Sequence, residues 1–113
     1  MMDDILILMN EVENDGRTVH LYFSPYFKRY IAYGISAYII TRMAHGVECY
    51  YDDDMQMPMV KMSDSQLKRI GSEVRKIVAN ERNYWRMEAI LEYDEKGYAE
   101  WAGFLRRQFT GRN

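Results

Sequence analysis

The sequence has 113 residues and a mass of 13.5 kDa, the size of a single domain, with 48% hydrophobic and 28% charged residues. This composition excludes a disordered or low-complexity chain, and the single cysteine, Cys49, excludes an internal disulfide. A net charge of −2 argues against a protein whose whole surface binds a polyanion. The charge is unevenly distributed. Residues 1–60 carry four basic and nine acidic side chains, whereas residues 61–113 carry eleven basic and eight acidic ones.

The amino-terminal residues predict a helix followed by a strand. Four apolar side chains recur at helical spacing behind acidic residues, and they predict a helix over residues 3–14: Ile5, Leu8, Met9 and Val12. Asp15 and Gly16 end this helix. The β-branched and aromatic run at 18–23 then predicts a largely buried strand that ends before Pro25.

The middle of the chain predicts a helix and a hairpin. Residues 26–45 fit both an alternating and a helical pattern, and their length favours an extended stretch to Tyr33, a break at Gly34 and a helix over 36–44. Residues 47–62 predict a hairpin with its turn at residues 52–54. Pro58 is expected to move the second strand of this hairpin toward a sheet edge.

The last third predicts two helices and a strand between them. Ser63 and Gln66 have the spacing of a capping box, and the apolar positions that follow predict a helix over 64–79. Alternation predicts a strand over 84–91, where a helix fits nearly as well. Apolar residues at helical spacing predict a final helix over 98–109. We therefore expect a single α+β domain, residues 1–113, with a mixed or antiparallel sheet flanked by three to four helices.

Catalytic and metal-binding motifs are missing from the sequence. His20, His45 and Cys49 do not have the paired spacing of metal ligands, and three consecutive aspartates lack the alternate-residue pattern of a calcium loop. There is no serine elbow, phosphate loop or dinucleotide glycine motif. We expect no metal, no cofactor and no enzymatic activity.

An aromatic and basic segment is the most unusual feature of the sequence. Tyrosines and Phe27 are interleaved with Lys28 and Arg29, the combination with which proteins stack bases and hold phosphates. The alternative is that half of these rings belong to the core and the others to a sheet surface or a protein interface. The residues predicted to contact nucleic acid or a partner are Phe27, Lys28, Arg29, Tyr30, Lys61, Lys68 and Arg69.

Three segments within residues 18–91 form a recognisable pattern: the strand at 21–23, Tyr30-Ile31-Ala32-Tyr33-Gly34-Ile35-Ser36-Ala37, and Pro58-Met59 ahead of the capped helix. In this order they resemble the amino-terminal domain of MutS-type DNA mismatch repair proteins. In that family a phenylalanine wedges beside the mismatch and a glutamate bonds the displaced base. Arg29 and Ile31 occupy those two positions here, and Phe27 lies two residues away.

These observations lead to two functional hypotheses. The first is a non-enzymatic module that contacts DNA or a nucleic-acid-handling complex through residues 28–33. The second is a protein–protein adaptor or inhibitor that acts through an acidic and Tyr/Met-rich surface without nucleic acid. Either is compatible with a homodimer. The sequence lacks a secretory signal and a membrane-length apolar run, so we expect a cytoplasmic protein with no membrane partner.

Overall fold

The computed structural model describes residues 4–74, 76–81, 83–89 and 94–110. Residue 3 of the first predicted helix and residues 90–91 of the predicted strand lie outside these ranges. The helices and strands within them are α1 (Asp4–Val12), β1 (Thr18–Ser24), β2 (Arg29–Tyr33), α2 (Gly34–Met43), β3 (Glu48–Asp52), β4 (Met57–Met62), α3 (Asp64–Glu73), β5 (Lys76–Glu81), β6 (Tyr84–Glu88) and α4 (Glu95–Thr110). The predicted α+β class is confirmed.

The described strands form one antiparallel sheet in the order β3-β4-β2-β1-β6-β5. After α1, the chain repeats a strand–strand–helix unit three times: β1-β2-α2, β3-β4-α3 and β5-β6-α4. Each unit contributes one hairpin to the sheet. The first hairpin is central, the second joins it through β4 and β2, and the third joins it through β6 and β1.

Helices cover both faces of the sheet. Successive strand residues point to opposite sides, so each face presents its own set of side chains to a helix. On one side, which we call the α2 face, strand residues such as Leu21 and Val60 pack against apolar side chains of α2 and α3. The opposite side, the α1 face, holds a smaller cluster in which Ile7 of α1 contacts the sheet: Ile7, Tyr22, Ile31, Tyr33 and Met59. Met55 and Met57 also pack against this cluster.

The position predicted for Pro58 is wrong. Strand β4 pairs with both β3 and β2, so it lies inside the sheet rather than at its edge. The ladder between β4 and β2 runs only from Met59 to Met62. Pro58 pairs with Tyr51 of β3 and lies one residue before the ladder with β2.

The helix predicted over 64–79 is too long. Its predicted start is confirmed, since Ser63 Oγ accepts from the Gln66 amide at 3.2 Å and Gln66 Oε1 accepts from the Ser63 amide at 2.9 Å. The helix ends at Glu73, and Val74 is already extended. The β-branched Ile77 and its neighbours form β5 instead, because pairing with β6 overrides the helical spacing of these residues.

Gly34 allows α2 to follow β2 without a loop. Its φ is +57°, and a Cβ at this position would lie 3.2 Å from Met57 Sδ and 3.3 Å from Glu11 Cγ. We therefore expect Gly34→Ala to lower the free energy of unfolding by about 1–2 kcal/mol, measured by urea denaturation.

Gly71 provides the matched control for this prediction. It lies inside α3, and within the described chain a Cβ there would meet no atom within 4 Å. Gly71→Ala should raise the stability by about 0.5–1 kcal/mol, as expected for a helix interior. Equal effects of the two substitutions would contradict the role of Gly34.

Candidate functional site

Helix α1 turns its predicted apolar stripe to solvent. An amphipathic helix normally packs such a stripe against the core. Here the side chains of Ile5 and Val12 are 72% and 75% exposed, and Leu8 and Met9 are close to half exposed. We call these four residues the α1 stripe. Ile7 and Glu11 face the sheet in their place and are buried.

The orientation of α1 follows from a bond between Glu11 and the start of α2. Tyr33 occupies the N-cap of α2 and makes no side-chain capping bond to it in the described chain. The Glu11 carboxyl takes that role, because Oε1 accepts from the Ser36 amide at 3.0 Å and Oε2 lies 2.6 Å from Ser36 Oγ. A carboxylate is favoured at a helix amino terminus. A polar contact between distant residues therefore determines which side of α1 is buried.

The Glu11 carboxyl belongs to a buried polar network. Ser36 Oγ accepts from the His20 amide at 2.9 Å, and Asn14 Nδ2 reaches the Thr18 carbonyl at 2.7 Å and Glu11 Oε1 at 3.3 Å. Burial raises the pKa of Glu11 to about 7, although the hydrogen bonds from Ser36 and Asn14 act in the opposite direction. The network joins the end of α1, strand β1 and the start of α2.

Acidic side chains lie at both ends of the α1 stripe. Asp4 begins the helix, and the exposed Glu13 and Asp15 follow its last turn. Near the first turn, the charges of Asp52 and Asp4 help to raise the pKa of Tyr33, after the larger effect of burial. The stripe is therefore an exposed apolar surface between two acidic ends.

A polar cleft of about 380 Å³ lies beside the carboxyl-terminal half of α1. We call it the α1 cleft. Asn10 of α1 and Glu13, which follows the helix, line one side of it, while His20, Arg86 and Glu88 line it from β1 and β6. His20 and Arg86 are paired across these two strands. The sequence did not predict this site; its one signal is the group of polar residues at the end of a helix otherwise rich in apolar ones.

His20 is nearly buried at the base of the α1 cleft, with 7% of its surface exposed. Its Nδ1 lies 2.7 Å from Tyr84 Oη, and no described residue bonds to its Nε2. Every fully buried side-chain nitrogen or oxygen in the described ranges has a hydrogen-bond partner, so Nε2 must reach solvent through the cleft. Burial, and secondarily the charge of Arg86, lowers the pKa of His20 to about 4, which keeps the ring neutral at pH 7.

Three of the seven predicted contact residues meet on the α1 face. Lys61 Nζ lies 4.1 Å from the Phe27 ring centroid, 4.6 Å from that of Tyr50 and 3.6 Å from Glu48 Oε2. Arg29 binds the other oxygen of Glu48 at 3.2 Å. Hydrogen bonds from Tyr50 and Arg29 lower the pKa of Glu48. The cations of this group are therefore already paired with an anion and two rings.

The other four predicted residues lie apart from that group. Lys28 is exposed in the turn between β1 and β2, where its φ is +56°. Tyr30 points to the α2 face and packs edge-on against Phe23 and Trp85. Lys68 and Arg69 are exposed on α3, the helix that packs on the α2 face. The seven residues do not form one continuous surface.

Comparisons with protein families, with curated proteins and with solved structures found no match. Within the described ranges, no three potential metal ligands come together, and no helix is long and apolar enough to cross a membrane. The resemblance to the MutS-type domain stays a prediction.

Proposed function

We propose that this chain is a non-enzymatic protein-binding module that docks a partner on the outer side of α1. The α1 stripe carries this proposal. Folded proteins rarely expose a contiguous group of large apolar side chains unless it forms a binding surface. The helix is held in this orientation by buried Glu11 and Ile7, so the exposed stripe is a fixed part of the fold.

The charges around the stripe indicate what kind of partner fits. Asp4 lies at one end of α1, and Glu13 and Asp15 lie at the other. An amphipathic segment with an apolar face and basic flanking residues would match both the stripe and its acidic ends. A second copy of this chain would bring like charges together. One nine-residue helix is also small beside the roughly 800 Å² per partner of a standard interface.

The nucleic-acid hypothesis has weaker structural support. Arg29 and Lys61 are both paired with Glu48, so a phosphate would have to displace an existing contact. Lys68 and Arg69 lie on the helix layer of the opposite face. We therefore favour the protein-binding hypothesis. A DNA titration at low salt tests the competing nucleic-acid hypothesis directly.

Positive charges placed in the α1 stripe should weaken docking. We expect Met9→Lys with Val12→Lys to weaken binding of a fluorescent leucine–lysine amphipathic peptide by about tenfold or more, because it removes apolar contact and adds repulsion. Fluorescence anisotropy measures the affinity. Both residues are exposed, so the thermal midpoint should stay close to that of the wild type.

Phe104→Lys is the matched control for this experiment. Phe104 is 55% exposed on α4, away from the stripe, and its substitution should leave peptide affinity unchanged. A leucine–glutamate peptide of the same pattern should bind poorly to the wild type. If both lysine variants bind equally well, or if DNA binds tightly while the peptide does not, the proposed function is wrong.

A further inference from the structure

The α1 cleft is continuous with the α1 stripe. Glu13, which lines the cleft, directly follows α1, and its amide donates to the Met9 carbonyl at 3.1 Å. It therefore continues the last helical turn beside Met9 of the stripe. A segment lying along the stripe reaches the mouth of the cleft at the carboxyl-terminal end of α1.

The groups that line the cleft are mainly hydrogen-bond acceptors. Three carboxylates, those of Glu13, Asp15 and Glu88, face one cation, Arg86, among its described lining residues. The Nε2 of the nearly buried His20 opens into the same space and has no hydrogen-bond partner among the described residues. A ring nitrogen that reaches solvent only through a negative cleft is a position where a ligand can complete the hydrogen bonding.

We propose that the α1 cleft binds a guanidinium or ammonium group, and that it takes a basic side chain of the segment docked on α1. The second part rests on the proposed function, whereas the first does not. Glu13 and Glu88 hold the cation. The Nε2 of the neutral His20 ring accepts from it in the tautomer whose Nδ1–H donates to Tyr84 Oη. Arg86 opposes the cation and limits its affinity.

The role of Arg86 distinguishes a cation site from an anion site. In a cation site, removal of this guanidinium strengthens binding, since the three carboxylates remain. In an anion site, the same change abolishes binding. The sign of the effect of Arg86→Gln therefore decides the chemistry of the cleft.

The test uses small probes that do not need the α1 stripe. Nα-acetyl-argininamide is titrated into ¹⁵N-labelled protein and the shifts of the His20 and Asn10 signals are followed, with Nα-acetyl-citrullinamide as the uncharged isostere. We expect saturable binding of the arginine probe at about millimolar concentration. The affinity should fall about fivefold in Glu13→Gln and in Glu88→Gln, and rise in Arg86→Gln.

Glu100→Gln, an exposed position on α4, is the control and should leave the probe affinity unchanged. Equal shifts with the citrulline probe, or unchanged affinity in Glu88→Gln, would overturn the cation site. So would binding of Nα-acetyl-aspartamide that is lost in Arg86→Gln.

The amphipathic peptide separates this inference from the proposed function. If the peptide binds the stripe and neither glutamine variant weakens it, the proposed function stands and the cleft inference fails. If the arginine probe binds the cleft and the peptide does not bind, the cation site stands and its link to docking fails.

Discussion

Replacing Glu11 by alanine is expected to lower the free energy of unfolding by about 2–4 kcal/mol at pH 6. The substitution leaves a cavity beneath α1 and removes the acceptor for the Ser36 amide at the start of α2. It also removes a partner of Ser36 Oγ and of Asn14. Urea denaturation followed by tryptophan fluorescence measures the loss.

Glu13→Ala is the control for Glu11→Ala, because Glu13 is exposed two residues away on the same chain segment. It should change the stability by less than about 0.5 kcal/mol. A similar loss in both variants would mean that the effect comes from the segment after α1 rather than from the capping of α2 by Glu11.

Glu11 and His20 should change stability with pH in opposite directions. The folded state raises the pKa of Glu11 from 4.5 to about 7, so its contribution is present below pH 4.5 and is lost as pH rises to 7. The folded state lowers the pKa of His20 from 6.5 to about 4, so its contribution is present above pH 6.5 and is lost as pH falls to 4. Each effect is on the order of 3 kcal/mol, and the two offset each other between pH 4.5 and 6.5.

Two single variants separate these effects. The stability of Glu11→Gln relative to the wild type should rise from pH 4.5 to 7, because the wild type loses stability there. The stability of His20→Asn relative to the wild type should fall from pH 4 to 6.5. The wild type gains stability over this range as His20 becomes neutral, and the variant does not. Urea denaturation at five pH values measures both, and parallel curves for all three proteins would refute the opposing pKa shifts.

Local signals in the sequence predicted most of the elements. The run of β-branched and aromatic residues located β1, and the capping box located the start of α3. These features depend on neighbouring residues. The end of α3 and the interior position of β4 were not predicted correctly, because both depend on pairing with strands far away in sequence.

The orientation of α1 could not be predicted for a similar reason. The apolar spacing of Ile5, Leu8, Met9 and Val12 correctly indicates a helix, but the buried side is set by Glu11, whose partner Ser36 lies 25 residues away. The α1 cleft is equally nonlocal, since it joins the end of α1 to His20 and Arg86 on two paired strands. The sequence pattern also could not show that two of the predicted contact residues, Arg29 and Lys61, both pair with Glu48.

The order of the strands has a consequence for how the chain folds during synthesis. The first hairpin to leave the ribosome, β1 with β2, is the centre of the final sheet, and both of its edges stay open at that stage. The second hairpin closes one edge through β4, and the third closes the other only after β6 has emerged. Long-range pairings of this kind form late, because closing a long loop has an entropic cost. The edge of β1 is therefore the last central edge to be protected in a growing chain.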